Sequence, residues 1–394
     1  MKPLMQLFVP ERERKIAGVA RGLLASSIIG VLFALGVGPV DAANKSKLSI
    51  YQHGKPVGYL PCGTSRRPLL TRTAVLMGGG IDVKDAYSWM ITKMAECRDG
   101  NIGTPGNFVV IRAGGNPSYD SFIFKLGPLA SVQTLVVPTV ETANDPALEP
   151  YIRNAGAIWL TGGDQGDYYN FWKGTLLEHL VSEQVENYGI PIGGTSAGMM
   201  ILSEFNYIAD PYTITSYDAL HDPYKDGAVT LKRDFWSNNT PFAPLLSTVT
   251  DSHFVTRNRM GRLVTFLARV IEDKWANGNS ARAIGVDQET ALLMEYDDQS
   301  PSSSNLESVT VTAIGNPEIK GAVYILSAGS GSRLTVEMGL PLTFTNVDVQ
   351  KLPVNGPPLN YQINVIEGAL TSTECLTVYG DNLCPTRFSL GAFP

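Results

Sequence analysis

The sequence predicts an α/β protein, a mostly parallel sheet flanked by helices, with a β-rich C-terminal extension. Three observations carry that prediction. Short continuous apolar runs recur between residues 73 and 194 with longer mixed segments between them, the pattern of buried parallel strands joined by helices. Three of those runs end in glycine-rich turns, where open α/β sheets bring backbone N–H groups forward to ligands. Beyond Asp297 a polar, Ser/Pro-rich stretch (297–308) gives way to segments that alternate in the strand period between Gly/Pro turns.

The expected parallel strands are TAVLM (73–77), FVVIR (108–112), VQTLVV (132–137), AIWL (157–160) and IPIGG (190–194). Helices are expected over 84–98, 119–128, 147–154 and 168–188. In the last, Leu176, Leu177, Leu180, Val181 and Val185 recur at helical spacing. His179 lies beside that stripe and reads as a partly solvated helix residue. The division expected is 1–42 targeting segment, 43–328 catalytic α/β domain and 329–394 extension.

The first of these rests on five basic residues (Lys2, Arg12, Arg14, Lys15, Arg21) ahead of an apolar run from Gly22 to Val40. Val40-Asp41-Ala42 then resembles a signal-peptidase site, so the chain is expected to be exported and extracellular, with no stable membrane anchor. The rival is an uncleaved anchor, since the run is near spanning length. Export suits an even number of cysteines, four in all. Cys375 and Cys384 flank a short hairpin with a turn at Gly380-Asp381-Asn382, and Cys62 and Cys97 would pair by default. The alternative is reduced, buried cysteines.

Composition narrows the function. The chain has 394 residues, 44% hydrophobic and 17% charged, which excludes a disordered or collagen-like protein. A net charge of −6 offers no basic surface to nucleic acid. Gly78-Gly79-Gly80 does not complete a dinucleotide fingerprint, and no phosphate-binding P-loop motif occurs. No clustered Cys/His spacing supports zinc, and no cofactor is expected.

The chemistry centres on Gly194-Thr195-Ser196-Ala197-Gly198, a G-x-S-x-G directly after an apolar strand and before a helical segment. That context is a nucleophile elbow, which projects the Ser196 hydroxyl and turns the Ala197 N–H toward a tetrahedral oxyanion. Of four histidines, His53 precedes the sheet, His179 is helical and His221 lies in a loop. His253, after LLSTVT, is the one placed at a strand end. Its neighbours Arg257, Arg259 and Arg262 suit an acidic substrate group. The bland alternatives are a loop histidine bonded to Asp251 and a solvated arginine face.

TGGDQ (161–165), GGTSAG (193–198), D-x-H-F-x-x-R-x-R-x-x-R-L from Asp251 and GVDQETALL (285–293) together resemble cyanophycinase. These are serine exopeptidases of the peptidase E (aspartyl dipeptidase) clan, and the likeness spans about residues 73–295. It implies a flavodoxin-like, class I glutamine amidotransferase-like sheet. It implies cleavage of cyanophycin, a polyaspartate bearing arginine on each β-carboxyl, into β-Asp-Arg dipeptides. By motif, Ser196 is the nucleophile and His253 its base, Gly163 and Ala197 supply oxyanion N–H groups, and Gln165, Asp251, Arg257, Arg259 and Arg262 bind substrate. Ser252 stands where some relatives have Gln. The third catalytic residue is expected at Asp218, which follows a β-branched run, with Asp210 and Asp222 as alternatives and Glu204 as a further one on the helix expected after the elbow. Readings kept beside this one are an α-aspartyl dipeptidase, an α/β-hydrolase-type esterase and a secreted binding protein without turnover. The oligomeric state is open, a homodimer included.

Overall fold

The computed structural model describes residues 47–58, 69–97, 103, 106–225, 229–238, 240–297, 309–316, 318, 320–372, 377–378 and 381–382. Residues 1–42, Cys62, Cys375 and Cys384 lie outside them. Cys97 is buried, and among the described residues no cysteine is free. No described helix is long and apolar enough to cross a membrane.

The strands are β1 (Ser49–Gly54), β2 (Arg72–Met77), β3 (Asn107–Arg112), β4 (Ser131–Val136), β5 (Ala155–Leu160), β6 (Ile192–Thr195), β7 (Asn206–Tyr207), β8 (Leu231–Lys232), β9 (Thr248–Asp251) and β10 (Arg282–Val286). They continue with β11 (Thr290–Tyr296), β12 (Thr310–Gly315), β13 (Ala322–Ala328), β14 (Leu334–Thr335), β15 (Thr343–Pro353), β16 (Leu359–Ile366) and β17 (Ala369–Ser372). The helices are α1 (Lys84–Lys93), α2 (Asp120–Phe124), α3 (Val140–Ala143), α4 (Glu149–Arg153), α5 (Gln165–Trp172), α6 (Leu176–Glu183), α7 (Ala197–Met200), α8 (Ser216–His221) and α9 (Met260–Glu272).

Two sheets organise these elements. The first has the order β1-β4-β3-β5-β6-β2-β11-β12, parallel from β4 to β2 and antiparallel at both margins. All five expected parallel strands lie in it. Their continuous apolar runs follow from burial on both faces: Val75, Met77, Val110 and Trp159 pack under α1 with Tyr87 and Met90, while Leu76, Ile111 and Leu160 face the opposite layer with α6 and α7. The second sheet runs β17-β16-β15-β13-β10-β9, with β9 and β10 parallel.

Two expectations change. The helix over 168–188 is split into α5 and α6, because Gly174 adopts a left-handed φ of 65° between them. The boundary at 328/329 falls inside the second sheet, since β13 pairs with β15 along seven residue positions from Ala322 to Ala328. The C-terminal strands therefore continue a sheet that β9 and β10 begin. Thr377–Val378 pairs with Asp381–Asn382 as a separate short hairpin, so Asp381 and Asn382 lie in its second strand and not in its turn.

Candidate active site

Three chain segments meet where the two sheets approach each other: the β6–α7 elbow from the first sheet, the loop after β9 from the second, and the crossover from β10 to β11. At the elbow Ser196 has φ 53° and ψ −118°, a conformation that non-glycine residues rarely adopt. Its N–H donates to the Met77 carbonyl at 2.9 Å, which ties the elbow to the neighbouring strand. Gly198 makes the turn feasible, because a Cβ there would stand 2.1 Å from the Leu160 carbonyl oxygen. The Ser196 hydroxyl is thereby held over the carboxyl ends of the strands.

His253 follows β9 and is 8% exposed, with its own N–H donating to the Gly78 carbonyl at 2.7 Å. The imidazole Nε2 stands 2.8 Å from Ser196 Oγ. Gly79 explains the glycine run at 78–80: a Cβ at that position would lie 2.4 Å from His253 Cε1, so only glycine leaves room for the ring. Burial, with Arg257 and Arg259 adding to it, pushes the His253 pKa down to about 4. The imidazole is therefore neutral, the form a general base requires, across ordinary pH. The other histidines are elsewhere. His53 is on β1 against Phe124, His179 is exposed on α6, and His221 ends α8 with Nδ1 at the Tyr217 carbonyl.

The group on the far side of the imidazole is an amide. Gln288 Nε2 stands 2.6 Å from His253 Nδ1. Asp218, expected there, is not brought to the histidine. It sits in the first turn of α8, bonded to Thr215, which caps that helix, and paired with Lys225, which holds its carboxyl below the usual range. Asp222 accepts from the backbone N–H groups of Tyr224 and Gly339 instead. The Asp210 N–H donates to the Thr230 hydroxyl, and its Cβ lies against Gly166 at the start of α5. Gln288 lies within the GVDQETALL segment, which was the available signal; a search confined to carboxylates passes over it. As placed, the Gln288 N–H₂ faces Nδ1, which puts the ring proton on Nε2 and toward Ser196. Turning the amide by 180° lets Oε1 accept from Nδ1–H and frees Nε2 to take the serine proton.

The three arginines divide. Asp251 is fully buried at the end of β9, and Arg262 forks onto it with Nε and Nη2 each at 2.6 Å. Arg259 Nη1 adds a contact at 3.0 Å and reaches the Ser252 carbonyl at 2.7 Å. Arg262 Nη1 continues to the Thr213 hydroxyl. Asp251 and Arg262 thus satisfy each other beneath the His253 loop and Arg259 joins them through Nη1, so the three are scaffold in this arrangement, not an open carboxylate site. Arg257 differs: it is exposed one turn beyond His253, and among the described residues no acid pairs with it.

Opposite the elbow, the turn after β5 faces the nucleophile. A Cβ on Gly162 would be 3.4 Å from the Ser196 Cβ. Tyr168 pins this turn through its hydroxyl to the Thr161 and Gly162 carbonyls at 2.9 and 3.1 Å. No backbone carbonyl takes the N–H of Gly163 or Ala197 among the described residues. Gln165 opens α5 at this mouth, half-buried. Asp287, beside Gln288, is buried and accepts from the Val255 and Ala322 N–H groups, and burial lifts its pKa to about 6. No group of His, Cys, Asp and Glu among the described residues could hold a metal ion.

A strained serine on a strand–helix elbow, hydrogen-bonded to a buried neutral histidine, defines a serine-type peptidase once comparison with known proteins is added. The family model for peptidase family S51 matches residues 120–221, from α2 through the elbow to α8. The chain resembles the cyanophycinases: it is 24% identical over 233 residues to that of Geminocystis herdmanii, covering 58% of this chain and 76% of the relative. With the cyanophycinase of a Nostoc species it shares 23% over 239 residues, 59% and 71% of the two chains. A crystal structure of a peptidase from an acI-B1 actinobacterium superposes with a TM-score of 0.44 at 16% identity, over 74% of this chain and 97% of that one.

Proposed function

We propose that the protein is a secreted serine exopeptidase that hydrolyses cyanophycin to β-Asp-Arg dipeptides through an acyl-enzyme on Ser196. The observation that carries this reading is the 2.8 Å contact between Ser196 Oγ and His253 Nε2 beside Arg257, with which no acid among the described residues pairs. The likeness to cyanophycinases supports the choice of polymer. In this reading Ser196 Oγ attacks the α-peptide carbonyl between two aspartates, and its proton passes to His253 Nε2. The N–H groups of Ala197 and Gly163 receive the oxyanion, with the start of α7 favouring the negative charge. The imidazolium then returns the proton to the departing amine, which leaves as the terminal β-Asp-Arg dipeptide, and a water activated by the same Nε2 frees the shortened polymer from Ser196.

Gln288 Oε1 orients the ring in the base-competent tautomer but brings no negative charge to the imidazolium. Arg257 takes the terminal carboxylate of the polymer through a charge-assisted fork, and Gln165 lines the entrance. Residues 1–42 are removed on export, and the cysteines pair as Cys62 with Cys97 and Cys375 with Cys384. The buried Cys97, with no free thiol, is consistent with the first pair.

Incubation of the mature protein with insoluble cyanophycin, with products identified by mass, tests the reading. β-Asp-Arg as the sole early product is expected. Free arginine or aspartate would refute the proposed bond specificity. Cleavage of short α-aspartyl dipeptides with the polymer left intact would instead establish the dipeptidase reading.

A further inference from the structure

Asp82 lies two residues beyond the glycine run that seats His253, ahead of α1, and none of the roles above uses it. Its carboxylate accepts from the Tyr87 hydroxyl at 3.0 Å, and the Tyr119 hydroxyl also hydrogen-bonds it. Tyr87 is fully buried on α1, whereas Asp82 and Tyr119 are half-buried and reach solvent.

The sheet order gives this cluster its place. Asp82 follows β2 and Tyr119 follows β3, and in the sheet the strands between them are β6 and β5. The Asp82–Tyr119 contact therefore spans the carboxyl ends of the two strands that lead into Ser196 and into Gly162–Gly163. Tyr168, whose hydroxyl holds the Gly162 turn, lies near enough to Tyr119 to oppose its ionisation.

No cation answers this carboxylate among the described residues. The only groups acting on it are the two phenols, and burial raises its pKa. Arg112, the basic side chain that acts on Tyr119, turns its guanidinium to the Gly114 and Asn116 carbonyls. Two phenolic donors occupy only part of a carboxylate's acceptor capacity, so acceptor sites are left over on a half-buried group. A half-buried carboxylate in that state binds an arriving cation with more gain than an exposed one.

We propose that Asp82 is the cation-reading group of the site: held by Tyr87 and Tyr119 across the ends of the strands that carry Ser196, it takes the guanidinium of the substrate side chain. The assignment rests on the guanidinium-bearing polymer proposed above. It divides the labour of recognition, with Arg257 reading the substrate's carboxylate and Asp82 its positive charge. The competing role is structural, an acid near the start of α1 that anchors Tyr87, and it predicts no dependence on substrate charge.

The test compares β-Asp-Arg with β-Asp-citrulline, in which an uncharged urea of nearly the same shape replaces the guanidinium. Binding of each to the Ser196→Ala protein is measured by calorimetry. The arginine compound should bind about ten- to hundredfold more tightly. Adding Asp82→Asn, which keeps an acceptor for both tyrosines, should reduce that ratio to about one. A ratio that survives Asp82→Asn, or one near unity before it, overturns the proposal. Should that variant fail to fold, Tyr119→Phe serves: a severalfold fall in the ratio supports the assignment and an unchanged ratio refutes it. Because binding is read without turnover, charge-selective binding through Asp82 with no cleavage of the polymer would sink the cyanophycin reading while leaving the cation site standing.

Discussion

The two halves of the catalytic pair are held by different kinds of force. Ser196 is fixed by backbone geometry, through its φ of 53°, its N–H bond to Met77 and a glycine that lets α7 press against β5. His253 also has a positive φ, 46°, but its loop rests on buried charge: Asp251 gripped by Arg259 and Arg262. Steric restraint is indifferent to pH and salt. A buried ion cluster is all-or-none, because removing one member leaves the others uncompensated in a low dielectric.

The comparison can be broken at several points, and the largest effect is on the serine side. Ser196→Ala should lower kcat by about 10⁴ or more with the melting temperature unchanged, since only a small hydroxyl is lost. Labelling by a serine-directed phosphonate should vanish with it, and labelling that persists would show the nucleophile to lie elsewhere. On the histidine side the first casualty should be the fold. Asp251→Asn strands two buried guanidinium groups and should cost about 3–5 kcal/mol of stability in a denaturant titration. A loss below about 1 kcal/mol would mean the cluster is not the scaffold described.

Gln288→Glu sharpens the comparison in the opposite direction by putting a charge where the protein has an amide. With the His253 pKa at about 4, the neutral base survives into acid, so the acid limb of kcat/KM should lie near pH 4. A carboxylate at Nδ1 favours the imidazolium, so the limb should move up by a unit or more, and kcat above it should rise about tenfold. A pH profile identical in both proteins would remove Gln288 from the base's surroundings. Arg257→Ala should raise KM for an aspartyl substrate by roughly tenfold with stability intact, and Arg257→Lys should restore part of it. Unchanged KM would return this residue to the solvated surface. The smallest effect belongs to Asp218→Ala, which removes an exposed pair with Lys225 and should alter kcat by less than about twofold. A drop of several orders of magnitude would reinstate it as a catalytic acid.

The first sheet was readable strand by strand because parallel strands buried on both faces leave continuous apolar runs, as β2 and β5 do. The elbow was readable because its glycines are dictated by contact distances and so leave a fixed spelling around Ser196. His253 could be reached by elimination among so few candidates. The partners of these groups could not. Whether Arg259 and Arg262 face solvent or Asp251 depends on how the loop after β9 packs on α9, which spacing alone does not encode. Asp218 satisfied the habit of finding an acid between serine and histidine along the chain, yet Thr215 three residues earlier spells a helix cap. Gln288 comes from the crossover between sheets, distant in sequence and of a residue type that carries no charge to attract notice.

That crossover has a consequence for anyone who trims the protein. Asp287 clasps the histidine loop at Val255 and the start of β13 at Ala322, and β13 is in turn paired along its length by β15. Truncation after residue 328 would strip that partner away and leave a long row of unpaired N–H and C=O groups beside Val323 and Leu326, an open edge suited to pairing with another chain. Proteolytic nicking between β13 and β15 would act more gently, since the cut pieces could stay zipped together. A shortened protein is therefore expected to precipitate, and a nicked one to remain in solution with its catalytic pair aligned.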